Sequence, residues 1–487
     1  MPASDESDPR NAVRRHLRGP QGVYRSVRMS TPDAAETAKE VAPRPVRGHH
    51  AVMGGGTDMG LPERETGAPS PRAPRRHLVV GMTFAACVIA YTDRVNISVA
   101  AVAMQPGLGW SETQKGFVFS AFFLGYFIFM LPGGILSTLV GGRLVLGLAV
   151  LAWSAFTLLT PPAAADSLAV LMAARFGMGL GEAAMFPGAY ELFGRWVPPG
   201  ERARASARML SGIAIGTIVG QGGSAWLVAD FGWPAAFYAF GLLGVVWVVI
   251  WFRTISNDPL TDPRVGEAER ALLPSAPPGR DRRLSDFKSK LLTRPVLAIV
   301  AAHFALTWVL YVLLSWLPSY FHSAQHLTIK SAGIYAALPW AAQFATSNAA
   351  AVLSDRWIAS GAPATRVRKV MQCGSLILAA LMLLALKEAH SAAAAEALLC
   401  AATGAIGISW AGFAPAMLDV APRRSALLYG FSNTIATIPG FVGVTITGWL
   451  VDVTGGHYAA SFALAAGICL MGALAFGAWF EARPVID

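Results

Sequence analysis

The chain has 487 residues, of which 54% are hydrophobic and 14% charged, and it carries a formal net charge of +10. Soluble domains average about 25% charged residues, whereas this chain contains several apolar runs as long as the roughly 20 residues that cross a bilayer. A soluble fold would have to bury all of these runs at once, which excludes it. The composition predicts an all-α integral membrane protein whose outer surface contacts a lipid bilayer.

Residues 1–76 form a polar segment rich in glycine, proline and arginine, without apolar periodicity. Such a composition cannot bury enough apolar surface to fold, so we predict a disordered N-terminal tail. Its arginine and serine content resembles that of organellar transit peptides, but those are poor in acidic residues. This segment contains acidic residues throughout, which favours a cytoplasmic tail over a transit peptide.

Twelve apolar segments follow the tail, and a polar linker at 254–294 separates them into two groups of six. The first group lies near 78–104, 116–138, 143–161, 167–190, 208–229 and 234–253. The second group lies near 295–318, 331–354, 367–386, 394–419, 425–450 and 457–480. The pattern predicts twelve transmembrane helices in two pseudo-symmetric six-helix halves, at 77–253 and 295–487.

Basic residues gather in every second connection between these segments, for example at Arg75, Arg202 and Arg366. This alternation follows the positive-inside rule and predicts that both termini are cytoplasmic. The basic residues form no stripe with interleaved aromatic residues, so the positive charge does not indicate a nucleic acid partner.

The two predicted halves contain related sequences. The triplet Trp226-Leu-Val precedes Asp230, and a second Trp-Leu-Val precedes Asp452 and begins 223 residues later (449 − 226). Pro187 and Pro415 share a similar offset of 228 residues (415 − 187). Similar offsets at independent places favour a duplicated six-helix unit over coincidence among helices rich in glycine and alanine. Transporters use such repeats around a central binding site.

Four charged residues interrupt the apolar segments of the first half: Asp93, Arg94, Arg175 and Glu182. Ionisable residues in a span cost about 2.5 to 3.5 kcal/mol each on insertion scales and commonly have a function. Arg175 and Glu182 are two helical turns apart, so they share one helix face. Arginines suit carboxylate or phosphate recognition, and buried carboxylates suit proton or sodium coupling. The alternative is that the four charges only neutralise one another as structural ion pairs.

The remaining reactive residues do not form a catalytic or metal site. The four cysteines lie in apolar segments without metal-ligand spacing, and no two histidines pair at ligand spacing within a segment. We therefore expect no cofactor, no metal and no enzyme active site. A membrane sensor would add a folded soluble domain, for which the tail and linker lack apolar content. His303 and Tyr311 either line a transport path or pack as buried residues.

Five sequence motifs are similar to motifs of a known transporter family. They are Tyr91-Thr-Asp-Arg-Val-Asn-Ile-Ser, Phe119-Ser-Ala-Phe-Phe-Leu-Gly-Tyr, Arg175-Phe-Gly-Met-Gly-Leu-Gly-Glu, Ser315-Trp-Leu-Pro-Ser-Tyr and Ser432-Asn-Thr. Together they resemble the anion:cation symporter family of the major facilitator superfamily from about residue 78 onward. The second half looks closest to plant plastid carriers of phosphate or ascorbate; sialic acid, vesicular glutamate and bacterial sugar-acid carriers are similar.

The resemblance implies that Arg94 and Arg175 bind the anion and that Tyr126 and Asn433 line the cavity with them. It also implies that Asp93 and Glu182 take part in cation coupling.

Two departures from the family pattern bear on function. The conformational latch of the family is intact in the second half, at Asp355 and Arg356, but the first half has Thr138 in place of the acidic residue. The vesicular glutamate carriers have an arginine in the seventh segment where this chain has Leu306, which favours a monovalent anion.

These observations predict a secondary active transporter that works by alternating access. Its substrate is a small anion of the phosphate, ascorbate or sugar-acid type, and H+ or Na+ is the co-transported ion. A facilitative exchanger is the nearest alternative. We expect a monomer in the cell membrane, with the plastid envelope as the alternative location.

Overall fold

The computed structural model of the protein describes residues 74–273, 290–422 and 424–486, and every regular element in these ranges is helical. The first half contains α1 (Arg75–Leu108), α2 (Glu112–Val140), α3 (Gly142–Asp166), α4 (Leu168–Glu182), α5 (Met185–Trp196), α6 (Arg202–Phe231) and α7 (Trp233–Thr254). The second half contains α8 (Arg294–Ser319), α9 (Ile329–Ala359), α10 (Ala364–Ala385), α11 (Ala392–Val420), α12 (Ser425–Ala436), α13 (Ile438–Val453) and α14 (Ala459–Trp479). Most of the predicted tail and residues 274–289 of the predicted linker lie outside the described residues.

These helices make twelve passes, because α4 continues into α5 and α12 into α13 after short breaks. Among the described residues, eleven passes are long and apolar enough to cross a membrane. The twelfth pass is α9, which is 31 residues long but carries polar side chains such as Gln343, Thr346 and Asn348. Leucines on the outer surface, including Leu131 at 73% and Leu474 at 72% exposure, form an apolar exterior that suits contact with lipid.

We call the face of the helix bundle at which α1 begins and α14 ends the basic face, and the opposite one the distal face. Four helices that start at the distal face carry a hydroxyl N-cap, which accepts a hydrogen bond from an otherwise unpaired backbone N–H group. These caps are Ser111, Ser167, Thr328 and Ser391, at the starts of α2, α4, α9 and α11.

The two halves contact each other through their central and distal parts. Ser120 Oγ lies 2.7 Å from Thr445 Oγ1, and the rings of Phe119 and Trp316 are 5.5 Å apart. At the distal end, Asp452 accepts hydrogen bonds from the backbone N–H groups of Glu112 and Thr113. The interface is therefore closed on its distal side.

The first part of the predicted linker packs under the first half instead of extending freely. Val265 is buried, and Glu269 accepts hydrogen bonds from the backbone N–H groups of Arg75 and Arg76 at 2.9 and 2.8 Å. A carboxylate at this position caps the N-terminus of α1 and interacts favourably with its dipole. Nearby, the Arg264 guanidinium bonds to Asp262 and holds the pKa of that carboxyl well below its usual range.

We expect Glu269→Ala to release this segment from the start of α1. Loss of a helix cap costs about 1 kcal/mol, which raises the open population about fivefold. Limited trypsin digestion should then cleave after Arg264 or Arg270 about five times faster. Glu267→Ala is the matched control, because Glu267 is exposed. Equal cleavage rates for the two variants would show that Glu269 does not hold the segment.

Candidate functional site

Charged residues lie buried at the middle of α1. Asp93 is 0% exposed and Arg94 is 6% exposed. The backbone of α6 approaches this part of α1 closely, because a Cβ added at Gly216 or Gly220 would overlap atoms of α1. Helix α6 therefore packs tightly on one side of α1, while Asp93 and Arg94 interact with residues of α3 and α4 such as Trp153 and Glu182.

Arg94 forms an ion pair with Glu182, which ends α4. Its Nε and Nη2 both donate to Oε1 of Glu182, the Nε bond being 3.0 Å long. The second carboxylate oxygen of Glu182 is buried and has no hydrogen-bond partner among the described residues. The rings of Tyr91 and Tyr126 lie 4.4 and 5.2 Å from the guanidinium carbon, at distances typical of cation–π attraction.

Arg175 has no carboxylate partner within the described residues. Its side chain is 2% exposed, its Nη1 donates to the sulfur of Met178 at 2.9 Å, and its Nε has no partner. The sequence places Arg175 and Glu182 on one helix face, but the ion pair of Glu182 goes to Arg94 on another helix. The structure thus contains a buried guanidinium that forms no ion pair with a carboxylate of the described residues.

Phe122 of α2 lies beside both arginines. Its ring centroid is 5.0 Å from the Arg94 guanidinium carbon and 5.4 Å from that of Arg175. The close packing of α2 on α4 sets this position, because a Cβ at Gly179 would overlap the carbonyl oxygen of Phe122, and one at Gly125 would overlap that of Phe176. The two glycines therefore keep the aromatic ring between the charged side chains.

Asp93 is the second carboxylate of the site. Both of its carboxylate oxygens are buried and have no hydrogen-bond partner in the described part of the chain. Glu182 and Arg175 act on it electrostatically, and the indole of Trp153 lies close to it. An unpaired buried carboxylate is costly in its charged form, so this position suits a group that takes up a proton or a cation.

A small cavity joins the two arginines. It is lined by both guanidinium side chains, by Ser98 and Ser315, and by aromatic residues of α2 that include Phe122. Its volume of about 10 Å³ is enough for one water molecule. The site is therefore present in a closed conformation, which must widen before a phosphate or a sugar acid can enter.

The second half contributes Tyr311 and Asn433 to the surroundings of this cavity. The Tyr311 ring packs 4.6 Å from that of Phe123, and Tyr311 interacts electrostatically with Arg94. Asn433 Nδ2 donates to the sulfur of Met130 across the interface at 3.1 Å. The structure therefore brings Tyr126 and Tyr311 next to Arg94, while Asn433 lies at the interface between the halves.

The predicted latch residues Asp355 and Arg356 lie near the end of α9. Both are exposed, and neither makes an ion pair within the described residues. The nearby ion pair joins Arg368 to Asp419 at 3.1 Å, and Arg368 also donates to Ser354 Oγ at 3.0 Å. The assignment of Asp355 and Arg356 as a latch stays a prediction.

Phe122 and Ser98 lie in the quoted family motifs, but sequence reasoning did not assign either of them to the cavity that they line. Asp419 had a usable signal, since it lies 228 residues after Glu191 (419 − 191), the offset already seen for the repeated prolines. Glu191 accepts a hydrogen bond from Gly142 N at 2.6 Å, so it too joins neighbouring helices. His303 does not face Arg94; its Nδ1 lies 2.7 Å from Ser432 Oγ.

Comparison with known proteins gives relatives over most of the chain. The sodium-dependent phosphate transport protein 1, chloroplastic, of Arabidopsis thaliana is 33% identical over 85% of this chain and 81% of its own length. The ascorbate transporter, chloroplastic, of the same plant is 31% identical over 85% of this chain and 76% of its own length. The predicted resemblance to plastid anion carriers is confirmed by these relatives.

Solved structures share the fold at low sequence identity. A bacterial homolog of the human lysosomal transporter Spinster, in an inward-facing and unoccupied conformation, has a TM-score of 0.66 at 18% identity and covers 83% of this chain and 95% of its own. A D-xylose–proton symporter has the same TM-score at 13% identity, covering 83% and 98%. The predicted all-α, multi-pass membrane fold is confirmed. The sequence profile described as Major Facilitator Superfamily matches residues 83–444, and the chain belongs to this family of membrane transporters.

Proposed function

We propose that the protein carries a small monovalent anion of the phosphate, ascorbate or sugar-acid type, together with H+ or Na+, by alternating access. The observation that carries this proposal is the buried Arg175 guanidinium, which has no carboxylate partner among the described residues. Asp93 and Glu182 act on its charge electrostatically, but neither accepts a hydrogen bond from it among the described residues, so its planar donors remain available to a bound anion. The names of the phosphate and ascorbate transporting relatives support an anionic substrate.

Arg94 is the second anion-binding group in this proposal, and Glu182 competes with the substrate for it. In the closed conformation both donors of Arg94 are directed at Glu182. Protonation of Glu182 removes the negative charge and weakens this ion pair. Arg94 is then free to present its planar donors to the substrate. Binding of the anion and uptake of a proton at Glu182 are thereby linked, and Asp93 is the second carboxylate of this proposal that can take up the co-transported cation.

The charge balance of the site supports coupling to one cation. Two arginines and two carboxylates, Asp93 and Glu182, sum to zero net charge when all four are ionised. A monovalent anion makes the site negative, which is unfavourable in a region of low dielectric constant. Uptake of one H+ or Na+ at a carboxylate restores neutrality. The unpaired oxygens of Asp93 favour this symport over facilitated exchange.

The proposed topology places the basic face in the cytoplasm, with both termini there. The alternation of basic connections supports this orientation. We propose the cell membrane as the location, and the chloroplastic names of the relatives make the plastid envelope the alternative. The monomer is the proposed unit, because both arginines and both carboxylates come from one chain.

Uptake of labelled phosphate, ascorbate and a hexuronate into proteoliposomes tests the proposal. We expect one of these anions to accumulate when an inward proton or sodium gradient is imposed. Arg175→Ala should lower that uptake at least about 30-fold, since loss of one partner of a buried charge pair costs about 2 to 5 kcal/mol. Arg175→Lys is the control, because lysine keeps the positive charge but lacks the planar guanidinium group that binds a carboxylate or phosphate with two donors. Unchanged uptake by Arg175→Ala would refute the site.

We expect Asp93→Asn to separate coupling from binding. The amide keeps the shape of the side chain but cannot take up a proton or balance the charge of a cation. Gradient-driven accumulation should therefore fall at least about tenfold, which corresponds to about 1.4 kcal/mol, while exchange of labelled for unlabelled anion at equal concentrations should persist. Loss of both activities would assign Asp93 to anion binding or structure instead. Wild-type uptake that is indifferent to both gradients would favour the exchanger.

A further inference from the structure

The repeated Trp-Leu-Val sequences end at two aspartates that both cross the interface at the distal face. Asp230 lies at the end of α6 and contacts Lys330 of the second half. Asp452 lies at the end of α13 and contacts Glu112 and Thr113 of the first half. The duplicated unit therefore places one carboxylate at each of two related contacts between the halves.

Asp452 completes the N-terminal cap of α2. Its Oδ1 accepts from the backbone N–H of Glu112 at 2.9 Å, and its Oδ2 accepts from the backbone N–H and the hydroxyl of Thr113, the N–H bond being 2.7 Å. Ser111 already accepts from the N–H of Gln114. The carboxylate thus satisfies two free donors of a 29-residue helix and interacts with the positive end of its dipole.

Asp230 makes a weaker contact at the related position. Its carboxylate lies 3.5 Å from Lys330 Nζ, and the two side chains are 42% and 51% exposed. The hydroxyl cap of α9, Thr328, accepts from the N–H of Ser331, and within the described residues no backbone N–H of α9 donates to Asp230. Exposed ion pairs of this kind contribute about 0 to 1 kcal/mol, so the two contacts are unequal.

The interface beneath Asp452 is closely packed. A Cβ at Gly448 would overlap the carbonyl oxygen of Glu112, and the hydroxyl groups of Ser120 and Thr445 are hydrogen-bonded about two helical turns deeper in the interface. Lys115 is 1% exposed and bonds to Glu112 within the first half at 2.6 Å. Separation of the halves at this face must therefore break the three hydrogen bonds that Asp452 accepts.

We propose that Asp452 is the principal latch of the distal gate, meaning the contact of α13 with the start of α2, and that Asp230 is its weaker counterpart. The latch stabilises the conformation that is closed on the distal side. Its loss shifts the population toward the conformation that is open on that side. This inference rests on the alternating access in the proposed function, but it involves none of the residues that bind the anion.

Cysteine labelling of the full chain tests the latch. The background is a variant in which the four native cysteines are replaced by serine. In this background, Thr445→Cys places a single thiol in the interface beneath the closed distal gate. The rate at which a membrane-impermeant maleimide labels this thiol in proteoliposomes reports the opening of the gate. Asp452→Asn should raise the labelling rate about fivefold, because the amide nitrogen cannot accept the two hydrogen bonds from Thr113. Asp230→Asn is the matched control and should raise the rate by a clearly smaller factor than Asp452→Asn, because an exposed ion pair contributes little to stability. Equal effects of the two variants, or no effect of Asp452→Asn, would overturn the proposal.

A second variant keeps the test decisive if Asp452→Asn does not fold. Thr113→Val removes one of the three hydrogen bonds and leaves the carboxylate and the backbone bonds in place, so it should raise labelling by a smaller factor. Unchanged labelling in Thr113→Val would count against the latch. Labelling and uptake are independent readouts. If Arg175→Ala left uptake intact while Asp452→Asn still opened the gate, the proposed anion site would fail and the latch would stand.

Discussion

Arg94→Ala should abolish uptake and also destabilise the protein, whereas Arg175→Ala should abolish uptake without a comparable loss of stability. Arg94 neutralises Glu182 in a buried ion pair, and removal of one partner of such a pair costs about 3 to 5 kcal/mol. Arg175 makes no ion pair among the described residues, so its removal leaves no carboxylate without its partner. Thermal unfolding in detergent, measured beside uptake in proteoliposomes, separates the two effects.

The double variant Arg94→Ala/Glu182→Gln is the control for this prediction. It removes the charge that Arg94→Ala leaves uncompensated, so it should recover most of the lost thermal stability. Uptake should stay absent, because the anion-binding guanidinium is still missing. If Arg94→Ala and Arg175→Ala lowered the unfolding temperature equally, the inferred difference between a paired and an unpaired arginine would be wrong.

Among the substitutions that add a single methyl group in the first half, Gly179→Ala should lower stability and uptake the most. The added Cβ would overlap the carbonyl oxygen of Phe122, which is backbone and cannot rotate away. Helices α2 and α4 must then separate, which costs about 1 to 3 kcal/mol or more and moves Phe122 away from both arginines. We expect low thermal stability in detergent and loss of uptake by the protein that remains folded.

Gly222→Ala is the matched control, because an added Cβ there has nothing within 4 Å. In the interior of α6 this change should leave stability unchanged or raise it by up to about 1 kcal/mol through higher helix propensity. Uptake should be that of the wild type. Similar thermal stability of Gly179→Ala and Gly222→Ala would contradict the close approach of α2 and α4.

The helices and the charged residues within them could be predicted from the sequence, because both depend on local composition. A run of apolar residues long enough to cross a bilayer predicts a span without knowledge of its neighbours, and Asp93, Arg94, Arg175 and Glu182 stand out within such runs. The repeat offsets also predicted two related halves, and they relate Asp230 to Asp452. These features therefore follow from the order of residues alone.

The pairing of the charges could not be derived in the same way. Helical periodicity relates Arg175 to Glu182 on one helix, but the ion pair joins Glu182 to Arg94 on another. Which helices meet depends on the approach of α6 to α1 and of α2 to α4, set by individual glycines. The packing of the 255–273 segment under the first half was missed for a similar reason, since its partners are backbone N–H groups of α1.

The polar character of α9 has a consequence for how the protein is made. A helix with too few apolar residues gains little free energy by entering lipid on its own. Its backbone and side chains instead find partners on α11, where Thr346 donates to the carbonyl of Gly404 at 2.8 Å and Thr403 donates to that of Pro339 at 2.8 Å. On its other side α9 packs against α6, where a Cβ at Gly333 would overlap Ala225, so the stable insertion of α9 depends on protein partners from both halves instead of on lipid alone.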